Sequence, residues 1–292
     1  AIVDNNVYTN LMAQQNMRAA ADIAARHRDL AEALGVTTEE MASWRDAADA
    51  MVIPYDRSLG VHPQSEGFTD HAMWDFASTG PDKYPLLMHA PYFDLYRKQV
   101  VKQPDLVLAM QLRGDAFTND EMDRNFRYYE AITVRDSSLS AATQSVVAAE
   151  LGYLELAYDY LGEAALMDLE DRNHNTGDGL HMASLAGAWT ALVEGFGGMR
   201  ARAGKLWFTP RLPSDIGRLC FRVRYRGSGV EVETNGLTAT YRLWDGPPLT
   251  VHHEGEAFDL GSKDVERTVT PVPHKPRPVQ PPGREPQRRG QL

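Results

Sequence analysis

The sequence has one cysteine, Cys220, in 292 residues. That excludes an internal disulfide and fits a reducing, cytoplasmic compartment. No apolar run approaches the ~20 residues a membrane-spanning helix needs, and no signal-peptide pattern opens the chain. No membrane partner is expected. Basic charge is in deficit, with 30 Lys+Arg against 40 Asp+Glu and a formal net charge of −10. This argues against a nucleic-acid partner and is compatible with a neutral substrate such as a sugar. Metal-ligand spacing is missing too: His62, His71, His89, His252 and His253 share no helix face. Asp171-Arg172-Asn173-His174-Asn175-Thr176 fails as a calcium loop, because Thr176 stands where the loop requires glycine and Met182 where it requires glutamate. The expected set therefore holds no metal and no cofactor.

What is present is a mainly α pattern. Apolar residues recur at helical spacing over residues 6–34, 37–51, 92–101, 105–112, 118–129, 137–151, 154–167 and 180–195. Between 54 and 91 the breakers Gly60, Pro63, Gly67, Gly80, Pro81 and Pro85 mark a long irregular stretch, of the kind that is usually functional. The period then becomes two: Leu219, Phe221, Val223 and Tyr225 alternate with Cys220, Arg222, Arg224 and Arg226. Residues 230–233, 238–244, 249–253 and 258–260 add strands, with Asn235-Gly236 as a hairpin signal. The pattern divides the chain into helices over 1–200, a small antiparallel β domain over 201–262 and a Pro-rich basic tail over 263–292. Seven of the 17 prolines lie in that tail, no apolar period survives there, and disorder is expected.

Two segments carry candidate chemistry. In Asp136-Ser137-Ser138-Leu139-Ser140, Asp136 reads as a helix N-cap with Ser137 and Ser138 in the first turn. In Asp178-Gly179-Leu180-His181, Asp178 and Gly179 open a helix and His181 falls in its first turn. Unpaired N–H groups and a partial positive charge make a helix N-terminus a seat for an anion, and two such ends aimed at one point would hold phosphate.

These segments, together with Val3-Asp4-Asn5-Asn6-Val7-Tyr8-Thr9-Asn10, Val101-Lys102-Gln103-Pro104-Asp105, Tyr128-Tyr129-Glu130, Glu194-Gly195-Phe196-Gly197-Gly198 and Pro210-Arg211-Leu212-Pro213, resemble the C-terminal part of glycoside hydrolase family 65. That family includes the maltose, trehalose and kojibiose phosphorylases. The resemblance implies the C-terminal half of an (α/α)6 barrel followed by a small antiparallel β domain. It implies substrate binding by Lys102, Gln103 and Glu130, and phosphate binding by Ser137, Ser138, Gly179 and His181. It also places the general-acid glutamate just upstream of Ala1, so no catalytic residue is expected within the chain, which on its own would be inactive. The sequence departs from the family pattern at Arg135, where histidine is common. Arginine keeps a charged fork suited to phosphate, and the acceptor sugar is left open.

An inverting hydrolase needs an acid and a base to activate water, whereas an inverting phosphorylase needs only the acid. Retention of the phosphate set implies phosphorolysis of an α-glucoside to β-glucose 1-phosphate, with phosphate as co-substrate. Two alternatives stand beside it. One is a hydrolase of the same family, with Asp136 or Glu130 as base, and the other is a non-catalytic helical carbohydrate-binding piece. The oligomeric state, a homodimer included, is left open.

Overall fold

The computed structural model describes residues 2–288. The chain divides into two compact units, one ending at Val134 and the other beginning at Arg135.

The first unit opens with α1 (Val7–Arg26), whose start is fixed by Asn6: its Oδ1 accepts the Thr9 N–H at 3.0 Å. A short α2 (Arg28–Ala33) and α3 (Thr38–Asp49) follow. Thr37 caps α3 through the Glu40 N–H. The irregular stretch after α3 contains β1 (Ala72–Met73). Next come α4 (Tyr92–Leu95) and β2 (Lys98–Gln99), which pairs in parallel with β1. The expected helix over 92–101 is therefore cut to one turn, because its second half is drawn into strand pairing with a distant segment. Burial of Leu106, Val107, Ala109 and Met110 packs α5 (Asp105–Leu112) into the core of the unit. A reciprocal capping box of Thr118 and Glu121 starts α6 (Asn119–Glu130).

The second unit begins with a helical hairpin, α7 (Ser140–Leu151) and α8 (Leu154–Ala165), followed by α9 (Met182–Thr190), which continues as a π-helical turn, Ala191–Phe196. A Cβ on Gly187 would collide with that of Ala142, and one on Gly195 would lie 3.4 Å from the Val146 Cα. Position numbers rise together along both helices, so α7 and α9 run parallel, with their N-termini at the same end. Their contact requires glycine on α9.

The β domain comprises β3 (Arg200–Arg202), β4 (Lys205–Phe208), β5 (Leu219–Tyr225), β6 (Ser228–Thr234), β7 (Thr238–Asp245), β8 (Leu249–His253), β9 (Glu256–Leu260) and β10 (Val265–Thr268). One sheet has the order β10-β7-β6-β5 and is antiparallel throughout. The other, β3-β4-β8-β9, contains a parallel β4–β8 pair, so the expectation of a wholly antiparallel domain is corrected there. Phe208 and Tyr241, one from each sheet, meet with ring centroids 5.4 Å apart, and both are fully buried.

The split at 134/135 keeps α7 in one compact unit with the β domain. Glu150 accepts Arg200 Nη2 at 2.6 Å through its carboxylate and Arg211 through its carbonyl. One further expectation is corrected: residues 263–288 are not a disordered tail. Val265–Thr268 adds to the edge of the first sheet, and the stretch beyond it is anchored on the hairpin by Arg277 to Asp159 and Gln280 to Tyr160. Polar anchors and prolines that favour an extended backbone order this segment without any apolar period. Residues 289–292 of the expected tail lie outside the described residues.

Candidate functional site

Each unit carries one set of the expected groups. In the first, Val101 forms a parallel bridge with Thr133, and its N–H donates to the Ile132 carbonyl at 3.0 Å. That pairing sets Lys102 and Gln103 just before α5, where both line a cavity of about 760 Å³. Its walls are rich in amides and hydroxyls: Asn5, Asn6 and Asn10 come from the start of α1, and Gln64, Ser65 and His71 from the irregular stretch. Gln99 pins that stretch, donating from Nε2 to the Thr69 and His71 carbonyls at 3.0 and 2.5 Å, while the Tyr128 hydroxyl donates to Gln99 Oε1. Such a lining matches a ligand covered with hydroxyls, since amides both donate and accept.

Asp105 also lines this cavity. Burial pushes its carboxyl above the usual range, against the opposing effect of a hydrogen bond from the Gln103 side chain. Glu130, by contrast, ends α6 with its side chain buried, and it lies outside the lining of the cavity. The amides of Asn5, Asn6 and Asn10, together with Gln64, His71 and Asp105, were not singled out as site residues from sequence. The signal available was the asparagine-rich entry to α1.

In the second unit, α7 begins at Ser140 rather than Ser137, and Leu139 occupies the cap position. Asp136 does not cap the helix. Its carboxylate, 2% exposed, is paired with Arg284 Nη2 at 2.7 Å. Ser137 and Ser138 form the turn leading into α7, where Ser137 Oγ accepts the Leu139 N–H at 3.3 Å. The Arg135 guanidinium is likewise committed. It donates to Glu163 at 2.5 Å and to the Arg284 carbonyl, and it lies 5.4 Å from the Tyr160 ring centroid.

His181 sits at the cap position of α9 rather than in its first turn. The structure adds a partner that the sequence did not reveal. Asp168 accepts the His181 backbone N–H at 2.9 Å and the ring Nδ1–H at 2.6 Å. The histidine's hydrogen bond holds the Asp168 carboxyl below its usual range. Nδ1 therefore faces a carboxylate, which leaves Nε2 as the ring's other polar atom. Gly179, at φ 140°, supplies a backbone that a side chain would strain.

The two loops meet on α8. Glu163 holds Arg135, and the carbonyl of the next residue, Ala164, accepts the Ser184 hydroxyl from the first turn of α9 at 3.0 Å. With α7 and α9 parallel, both N-termini and their flanking Ser137, Ser138 and His181 lie at the C-terminal turn of α8.

A family model for the glycosyl hydrolase family 65 central catalytic domain matches residues 1–190, and one for the family 65 C-terminal domain matches 199–260. The chain belongs to glycosyl hydrolase family 65. It is 56% identical over 297 residues to an uncharacterized glycosyl hydrolase of Mycobacterium tuberculosis, covering 100% of this chain and 37% of that protein. It is 42% identical to an α,α-trehalose phosphorylase of Thermoanaerobacter brockii over 91% of this chain and 35% of that protein. Among solved structures, a putative kojibiose phosphorylase from the human microbiome superposes with a TM-score of 0.81 at 29% identity, over 91% of this chain and 38% of the other. The chain thus spans little more than a third of the relatives it matches.

Cys220, Glu231 and Glu233 offer ligand atoms within 4.8 Å of one another. Arg222 and Arg242 occupy Glu231, and Arg218 and Arg242 occupy Glu233, so guanidinium charge stands where a cation would bind.

Proposed function

We propose that this chain is part of an inverting α-glucoside phosphorylase, which cleaves a disaccharide of the trehalose, maltose or kojibiose type with inorganic phosphate. The observation that supports the reading is the convergence of the two loops on Glu163 and Ala164, which brings the N-termini of α7 and α9, flanked in sequence by Ser137, Ser138 and His181, to one end of α8. Names of relatives, among them a maltose phosphorylase and two kojibiose phosphorylases, support it. In the reaction, a phosphate oxygen attacks the anomeric carbon and the glycosidic C–O bond breaks. The leaving oxygen takes a proton from a general acid, assigned to a glutamate preceding Ala1. Lys102 and Gln103, with the amides around them, bind the glucosyl hydroxyls. Phosphate brings its own negative charge, so no protein base is needed. The helices belong to the (α/α)6 barrel of the family.

The bases a hydrolase would require count against that alternative. The Asp136 carboxylate is buried in an ion pair, and Glu130 is 1% exposed, so neither is presented to water. The deciding experiment is turnover of the full-length protein with and without inorganic phosphate. Release of β-glucose 1-phosphate only when phosphate is present supports phosphorolysis. Equal glucose release without phosphate overturns it in favour of the hydrolase.

A further inference from the structure

The segment after β10 is expected from composition to be solvated, yet it runs along α8 and ends on the turn before α7. Each anchor is polar and specific. Lys275 Nζ lies 5.0 Å from the Tyr153 ring centroid, Arg277 pairs with Asp159, whose side chain is 3% exposed, and Gln280 Nε2 donates to the Tyr160 hydroxyl at 2.7 Å. Pro281 and Pro286 are buried. Between them, Arg284 makes two contacts with the turn. Its guanidinium pairs with the buried Asp136 carboxylate, and its carbonyl accepts the Arg135 guanidinium. Val272 also packs close to Gly152, with its Cγ1 2.6 Å from where a Cβ would stand. Prolines before and after Arg284 restrict the unbound segment and lower the entropy lost on docking.

We propose that this segment is a positioning strap for the anion-binding turn, with Arg284 as its positioning residue. Arg135 stands at φ 56°, an uncommon conformation for a residue with a side chain. Its guanidinium and the Asp136 carboxylate are each held by Arg284 from opposite ends of the same residue. Arg284 thereby fixes the two residues that immediately precede Ser137 and Ser138. Without it, a buried carboxylate loses its counter-ion and the backbone leading to both hydroxyls loses its tether. Its consequence for phosphate rests on the reading of Ser137 and Ser138 as phosphate ligands, whereas the clamp itself does not.

The test uses the full-length protein and compares R284A, R284K and the charge-neutral pair D136N/R284M with wild type. The pair leaves no uncompensated buried charge, so it keeps the fold where R284A alone fails to. Two readouts are needed: amide hydrogen exchange of residues 136–140 relative to α8, and KM for inorganic phosphate relative to KM for the glucoside. The strap predicts faster exchange at 136–140 in R284A and in the pair, partial recovery in R284K, and unchanged protection in α8. It also predicts a phosphate KM raised roughly ten- to a hundred-fold, since a small misplacement of binding groups costs that much, with the glucoside KM within about twofold. Unchanged exchange at 136–140 in a folded variant overturns the clamp. Equal rises in both KM values overturn the positioning role. If wild-type turnover is independent of phosphate, the phosphorylase reading falls, and the exchange readout still upholds or overturns the strap.

Discussion

His181 and Asp168 are joined twice, through the ring Nδ1 at 2.6 Å and through the backbone N–H at 2.9 Å, so one carboxylate fixes both the rotation of the imidazole and the cap of α9. A neutral ring with its proton on Nδ1 can accept from a monoprotonated phosphate at Nε2, and a charged ring can donate there. In either state Asp168 sets the direction of Nε2. If His181 binds phosphate as proposed, H181A in the full-length protein should remove a hydrogen bond to a charged group, a loss of about 1.5–3 kcal/mol. That corresponds to roughly ten- to over a hundred-fold in phosphate-dependent turnover. D168A should reproduce a large part of this effect by releasing the ring. Steady-state kinetics with varied phosphate checks both. A D168A enzyme with unchanged phosphate kinetics removes Asp168 from the positioning role.

The emphasis reverses at Lys102. This side chain lines the cavity of the first unit with Gln103 and the asparagine amides, and its ammonium suits sugar hydroxyls. K102A should raise KM for the glucoside by roughly ten-fold or more, the cost of one charged hydrogen bond, and leave KM for phosphate nearly unchanged. A larger effect on phosphate than on sugar would assign Lys102 to the anion instead.

Much of the helical scaffold was readable because its signals are local. Thr118 and Glu121 announce the start of α6 by their own spacing, and the apolar run of α5 is continuous. Errors arose where pairing with a distant segment decided the structure. Lys98–Gln99 leaves the helical pattern to pair with Ala72–Met73, and in the β domain Lys205–Phe208 pairs in parallel with Leu249–His253 where antiparallel pairing is expected. The site divides in the same way. Motifs pointed to Lys102 and His181, but Asp168 lies 13 residues before its partner in a stretch with no periodic signal. Asp136 looked like a helix cap because its true partner, Arg284, is 148 residues away.

Cavity electrostatics give a pH prediction. Burial raises the Asp105 pKa above that of an ordinary aspartate, so the folded state holds this proton more tightly than the unfolded one. Stability contributed by Asp105 therefore falls as pH rises from about that value through the raised folded pKa, and it is constant above. D105N carries no charge and escapes the penalty. Its melting temperature relative to wild type should increase across that window and then level off. A difference that is flat with pH, or one that declines, would show that the buried carboxyl is not paying a desolvation cost.

The parallel contact of α7 and α9 gives a prediction whose sign is set by packing. Replacing a helical glycine by alanine ordinarily stabilises by about 0.5–1 kcal/mol. At Gly187 the new methyl meets the Ala142 Cβ inside contact distance, and overpacking costs about 1–3 kcal/mol, so the clash wins. G187A should lower the melting temperature, and the paired change A142G/G187A should recover most of the loss by returning the space to the other helix. Because this contact registers the two N-termini, G187A should also weaken phosphate kinetics more than sugar kinetics. Denaturation curves of the single and double variants, read beside both KM values, test the register. A stabilised G187A would mean that the helices have room to spare, and the common end of α7 and α9 would then need another explanation than close glycine packing.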